Sequence, residues 1–328
     1  YHLLPATLKI TICGNYGATN LGDEAILTGI IHLLEASAKI PHQMTVISSN
    51  CRATKKLHNL HCVPPFPCGF RSFFRGIFGG GLLKTIRAIK QTDMFILGGG
   101  GLFTDEKPLP VIIWWIQASL ALFYKKPLFC IGQSVGPLKS KWSRFLTKNI
   151  FKHAEIITVR DETSKKTLEK LGIANVLVLA DPVFSLTEFA PDNRTPQKAK
   201  YIVLSLRPWN KALQIKNSKI LAQFVDWLHF KYGLKTLFVP FQLTKDNDMD
   251  AFEAVSIHLQ NKNAFSAVPY NPNFQEVLPY LAHSQAIIGM RLHSLIFAAL
   301  VNTPFIALAY SQKINSLVTE LDQKDYLL

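Results

Sequence analysis

The sequence predicts two consecutive Rossmann-like α/β domains, each built on a parallel sheet and together facing a cleft. Three observations predict this. Short apolar runs alternate with helical patterns along most of the 328 residues. Glycine-rich loops follow three of those runs directly. A polar stretch with two prolines, SLTEFAPDNRTPQKAK (185–200), interrupts the alternation, which then restarts. The expected division is 1–187 and 188–328.

The elements follow in order. LKITICG (8–14) reads as a strand and NYGATNLGD (15–23) as a glycine-rich loop. A helix is expected from about Asp23, because Ile26, Ile30, Leu33 and Leu34 recur at helical spacing. MTVIS (44–48) is the next strand, which completes a βαβ unit and implies parallel pairing. MFILGGGG (94–101) and PLFCIGQSVGP (127–137) are strands entering glycine loops. WSRFLTKNIFKHA reads as a helix, EIITVR (155–160) as a strand and DETSKKTLEKLG as a helix stopped by Gly172. VLVLADPVF (176–184) is a strand ending in a turn at Pro182. After the interruption come YIVLSLR (201–207), a helix near 217–232, KTLFVPF (235–241), and helices near 249–260 and 273–283. The strand–helix–strand unit AIIGMRLHSLIFAALVNTPFIALAY (286–310) closes the pattern.

Composition narrows the function classes. Hydrophobic residues make up 48% and charged residues 18%, a globular balance. Lys and Arg number 36 against 22 Asp and Glu, a net charge of +14, which calls for an anionic partner. No nucleic-acid-binding module is recognisable. The five cysteines (13, 51, 62, 68 and 130) are odd in number and form no CxxC pair. They make a poor disulfide framework and a poor zinc site, and so favour a reducing, cytoplasmic setting. No secretory signal is legible. The most apolar stretch, Leu109 to Tyr124, falls short of the roughly 20 residues needed to span a bilayer and reads as a buried helix, with an interfacial helix as the alternative. RSFFRGIFGGGLLKTIRAIK (71–90) mixes Arg, Lys and Phe, which suits an anionic acceptor channel, peripheral membrane contact or a solvated loop and helix.

The glycine loops sit where α/β sheets bind ligands, beyond the carboxyl ends of the strands. Gly14, Gly17 and Gly22 do not match the dinucleotide spacing G-x-G-x-x-G, and no GK[ST] follows to make a P-loop. Asp23 suits a sugar hydroxyl or a helix cap. Asp105, just past the run Gly98–Gly101, reads as a carboxylate for a hydroxyl.

The basic residues carry the chemistry. Arg207 ends a strand, and Arg291 and His293 stand where the strand AIIGM enters a helix. A helix N-terminus favours an anion, arginine offers a fork for carboxylate or phosphate, and histidine exchanges a proton near neutral pH. The alternative is that Arg291 pairs with a buried acid and His293 caps a carbonyl. DNDMD (246–250) reads either as an acidic helix start or as a divalent-ion site, although it fails the EF-hand pattern.

Taken in order, GNYGATNLGDEAIL, ILGGGGLFTD, GQSVGP, VRDETS, ADPVF, VPFQ and GMRLHSLIFAAL resemble the polysaccharide pyruvyl transferase family over residues 8 to about 310. GQSVGP departs from the family's usual GQGVGP at Ser134. The resemblance implies a GT-B-like pair of domains, with the acceptor on the N-terminal side and phosphoenolpyruvate on the C-terminal side. It implies transfer of the pyruvyl group of phosphoenolpyruvate onto two hydroxyls of a sugar, as a cyclic ketal. The sugar would belong to a cell-surface polysaccharide, a glycan or a lipid-linked precursor. Arg207, Arg291 and His293 are then the expected catalytic and donor residues. Leu292, Asp105, Gly14, Gly17, Asn20, Gly22, Asp23, Gly99, Gly100 and Gln133 are expected at the substrates. Neither metal nor cofactor is expected. A GT-B-type glycosyltransferase using a nucleotide sugar is the alternative, and a basic glycan- or membrane-binding protein with a decayed site is a further one.

Overall fold

Each strand that the alternation predicts in the first half pairs in parallel with another. The computed structural model describes residues 7–67, 80–105, 110–191, 199–208, 210–244 and 246–328. Cys68, residues 71–79 of the basic aromatic stretch and residues 192–198 of the predicted linker lie outside them. The chain forms two units. The first takes in the residues up to Ala18 together with Ile26–Ser185, and the second takes in Thr19–Ala25 together with Leu186–Leu328. The units differ from the expected 1–187 and 188–328 at two places: Thr19–Ala25 groups with the second unit, and the second unit begins at Leu186.

In the first unit the strands are β1 (Leu8–Cys13), β2 (His42–Ile47), β3 (His61–Val63), β4 (Met94–Leu97), β5 (Gly100–Phe103), β6 (Leu128–Val135), β7 (Ala154–Val159) and β8 (Val176–Val178). Their order is β3-β2-β1-β4-β6-β7-β8, with β5 added against β6. The order reverses between β1 and β4, so the loops after Cys13 and Leu97 open at a topological switch point. The helices are α1 (Leu21–Ser37), α2 (Cys51–His58), α3 (Gly81–Gln91), α4 (Pro110–Phe123), α5 (Lys141–Phe151) and α6 (Glu162–Lys170). Ser140 caps α5 and Asp161 caps α6. One core cluster joins Phe95, Leu97, Phe103, Leu128 and Ile157 of the sheet to Ile89, Ala118, Ala121, Ile150 and Phe151 of the helices. Residues 110–123 of that apolar stretch are therefore the helix α4, which packs one face on its own sheet and leaves Ile112 and Phe123 exposed.

Three expectations are corrected here. Gly100 and Gly101 lie in β5, not in a loop: pairing with β6 supplies the order that glycine's strand propensity lacks. The helix expected from Asp23 begins at Leu21, with Asn20 as its cap. Cys51 and Cys62 form a disulfide, which overturns the expectation that the cysteines would not pair. The two meet because α2 ends at Asn59 in the left-handed region (φ 53°), which turns the chain back into β3.

The second unit repeats the design with β9 (Tyr201–Ser205), β10 (Lys235–Phe238), β11 (Phe265–Ala267), β12 (Ile287–Gly289) and β13 (Phe305–Ala307). All its pairs are parallel, in the order β11-β10-β9-β12-β13. The helices are α7 (Lys211–Tyr232), α8 (Asp248–Ser256), α9 (Phe274–Ala282), α10 (Leu292–Leu300) and α11 (Gln312–Glu320). The order reverses between β9 and β12, so the switch point falls at the loops carrying Arg207 and Arg291. Leu204, Val225, Phe238, Val255 and Phe265 share its core.

Candidate active site

The switch point of the second sheet gathers the site. Ser205 and Gly289 are register partners at the carboxyl ends of β9 and β12, and the Met290 N–H donates to the Ser205 carbonyl at 2.8 Å. The chain leaves β9 through buried Leu206 to Arg207, and leaves β12 through buried Met290 to Arg291. Apolar residues anchor each exit, so both guanidinium groups are carried on short stems from rigid strands.

Two aspartates from DNDMD hold these arginines. Asp248, with no solvent exposure, accepts from Arg291 Nε at 2.9 Å and also from Arg291 Nη2. Its other oxygen accepts from the Phe241 and Gln242 N–H groups at 2.8 and 3.1 Å. Burial pushes the Asp248 carboxyl above its ordinary range, while Arg291 and the two N–H groups pull it down. Asp246 takes Arg291 Nη2 on its backbone carbonyl at 2.7 Å, and its carboxylate lies 3.5 Å from Arg207 Nη2. The Arg207 guanidinium also lies over the Tyr310 ring, 4.4 Å from the centroid. The alternative reading of Arg291, as partner of a buried acid, is thus observed. DNDMD serves as an acidic helix start capped by Asn247. Among the described residues, no group of three or more His, Cys, Asp or Glu could hold a metal ion.

His293 occupies the first turn of α10, directly after Arg291 and Leu292. Its ring packs against Gly22: a Cβ there would come within 2.1 Å of Nδ1. Gly22 is held in place by the run around Asn20. The Asn20 side chain caps α1 through the Asp23 N–H at 3.2 Å and donates to Gln242 Oε1 at 3.3 Å. The Leu21 N–H donates to the Phe241 carbonyl at 2.9 Å. Phe241 and Gln242 are also the residues whose N–H groups hold Asp248. One short segment therefore ties the NLGD turn, Asp248 and Arg291 into a single assembly. Tyr270 joins it: its hydroxyl is buried, and burial with the carboxylates of Glu24, Asp23 and Asp248 raises its pKa.

The other expected residues lie in the first unit, and internal contacts account for them. A Cβ at Gly14 would strike the Tyr16 ring, and one at Gly99 would lie 2.8 Å from the Gly132 carbonyl oxygen. Gly17 has φ +73° and packs on Ser48 and Asn50. Gly100 has φ 104° at the start of β5. Gln133 is fully buried, and its Nε2 donates to the carbonyls of Leu97 and Gly98. Asp105 accepts from the Lys139 and Ser140 N–H groups and from the Ser143 hydroxyl. Burial pushes its carboxyl up, but these hydrogen bonds outweigh that and hold it below the ordinary range. Ser134 belongs to a buried ionic network. Its hydroxyl accepts from Arg160 Nε at 2.6 Å and donates to Asp161 at 3.1 Å, while Arg160 Nη1 pairs with Asp181 at 2.6 Å.

Asp246, Asp248, Tyr270 and Tyr310 were not expected in these roles. Only DNDMD carried a signal, and it read as an acidic helix start or a divalent-ion site rather than as the partner of the arginines.

Comparison with known proteins agrees with this architecture. The family described as polysaccharide pyruvyl transferase matches residues 20–312. The amylovoran biosynthesis protein AmsJ of Erwinia amylovora is 25% identical over 93% of this chain and 84% of its own length. A UDP-N-acetylglucosamine 2-epimerase crystal structure is similar with a TM-score of 0.66 at 12% identity, over 98% of this chain and 82% of that one. The S. aureus MnaA–UDP structure gives 0.65 at 13%, over 98% and 83%. These two likenesses show a shared GT-B-like fold of parallel α/β domains.

Proposed function

The chain belongs to the polysaccharide pyruvyl transferase family, and from that premise we propose that it moves the pyruvyl group of phosphoenolpyruvate onto two hydroxyls of one sugar. The product is a cyclic ketal on a cell-surface polysaccharide or its precursor, with phosphate released. The observation that carries the reading is the pair of arginines at one switch point, racked by Asp246 and Asp248 beside a histidine at a helix N-terminus.

The donor is a small dianionic acid with one carboxylate and one phosphate. Arg207 and Arg291 bind the two groups, and the α10 N-terminus adds backbone N–H donors. Asp248 and Asp246 fix the guanidinium groups before the donor arrives, so less order is lost on binding. His293 donates a proton to C3 of the enol, which becomes a methyl group and leaves C2 electrophilic. The first sugar hydroxyl adds to C2 and its proton returns to His293. The C2–O bond to phosphate breaks, the second hydroxyl closes the ring, and its proton leaves with phosphate. Arg291 and Leu292 set the position of His293, and Gly22 leaves the space its ring occupies.

Acceptor-dependent phosphate release tests the proposal. Purified protein with phosphoenolpyruvate and candidate lipid-linked or polymeric sugars should release phosphate and add the mass of pyruvate less water to the acceptor. Glycosyl transfer from a nucleotide sugar, with phosphoenolpyruvate inert, would replace the reading.

A further inference from the structure

The net charge is unevenly shared between the two units. The first holds 22 Lys and Arg against 9 Asp and Glu, a net of +13, and the second holds 14 against 13, a net of +1. Within the first unit the acids are absent from long stretches: none occurs in 36–92 or in 107–154. Helices α3, α4 and α5 therefore contain no Asp or Glu at all. The three pack in that order over one core cluster, and Trp115 of α4 donates to Asn149 of α5 at 3.1 Å.

The same layer carries large apolar side chains in water. Leu83 of α3 is 70% exposed, Phe123 of α4 is 76%, and Trp142 and Phe145 of α5 are 73% and 59%. Trp142 and Phe145 meet edge to face at 6.2 Å. Lys84, Arg87, Lys141 and Lys148 on α3 and α5, and Lys152 just past α5, are also exposed. An acidic polymer would use the charges and leave the aromatic rings wet. An anionic bilayer uses both: rings enter the headgroup boundary while lysines meet lipid phosphates.

We propose that the α3–α4–α5 layer docks this protein on an anionic membrane surface. The proposed contact is peripheral, and among the described residues no helix is long and apolar enough to cross a membrane. This surface is independent of the catalytic reading.

Co-sedimentation with vesicles of phosphatidylglycerol and phosphatidylcholine (3:7), against pure phosphatidylcholine, tests it. Binding to the anionic vesicles only, falling as salt rises, is expected. Each lysine at such a surface is worth about fivefold in partitioning, so K141E/K148E should bind about 25-fold or more weakly. W142S/F145S should lose about tenfold or more. K166E/K170E makes the same charge change on α6, which carries Glu162 and Glu169, and should bind within about threefold of the unaltered protein. Thermal midpoints of all three variants, read alongside, confirm folding, since the substituted side chains are exposed. No binding to the anionic vesicles, equal loss in the α5 and α6 charge variants, or binding that only a soluble polyanion supports would overturn the proposal.

Discussion

Asp248 grips Arg291 through Nε and Nη2 from a position with no solvent exposure, and the two residues lie 43 apart in the chain. The pair joins the start of α8 to the start of α10, so the geometry of the proposed donor site and the stability of the second unit depend on the same contact. Breaking a buried pair from one side leaves an uncompensated charge, at a cost of about 3–5 kcal/mol. Asp248→Ala should lower the thermal midpoint by several degrees or more and abolish donor binding. The double replacement D248L/R291M should recover much of the stability and still bind no phosphoenolpyruvate. Calorimetry with and without donor reads both. Donor binding by the double variant would remove Arg291 from the site.

Gly22 is helical, and alanine is about 1 kcal/mol better than glycine inside a helix. The His293 ring lies where that methyl group would go. Gly22→Ala should therefore lower kcat by about tenfold or more, and His293→Ala by about 10²–10⁴, with KM for phosphoenolpyruvate within about threefold in both. Steady-state kinetics separates these quantities. A raised KM with unchanged kcat in His293→Ala would make the histidine a binding residue.

Asp105 has its carboxyl held below the ordinary range by the loop before α5. Its folded pKa is lower than its unfolded one, so its stabilisation is present above the unfolded value near 3.9. It is lost as pH falls through the folded value. Asp105→Asn should cost about 1 kcal/mol at pH 7, as for loss of a helix-cap contact, and should flatten the acid limb of the stability curve. Denaturant midpoints between pH 3 and 7 check this. Unchanged stability with lost acceptor use would place Asp105 at the acceptor instead.

How much was legible follows from where each signal lies. Arg291 and His293 were visible because an apolar strand running into charged residues at a helix start is a local pattern. The partners of the arginines were not: DNDMD lies about 40 residues from each, and only the sheet order brings them together. The same holds for Asn20, which joins Gln242 across 222 positions and draws its turn into the second unit. β3 and β11, at three residues each, are too short for a period to show. The Cys51–Cys62 pair depended on a left-handed turn at Asn59 that composition does not announce.

The proposed function stands or falls on whether the arginines at this switch point bind phosphoenolpyruvate. Thermal unfolding with phosphoenolpyruvate, UDP-sugar or GDP-sugar, in the unaltered protein and in Arg291→Ala, tests it most directly. A ligand at 100 times its Kd stabilises by about 2.7 kcal/mol, a rise of a few degrees for a chain of this size. That rise is expected with phosphoenolpyruvate alone, and it should be lost in Arg291→Ala. A rise with a nucleotide sugar alone would contradict it.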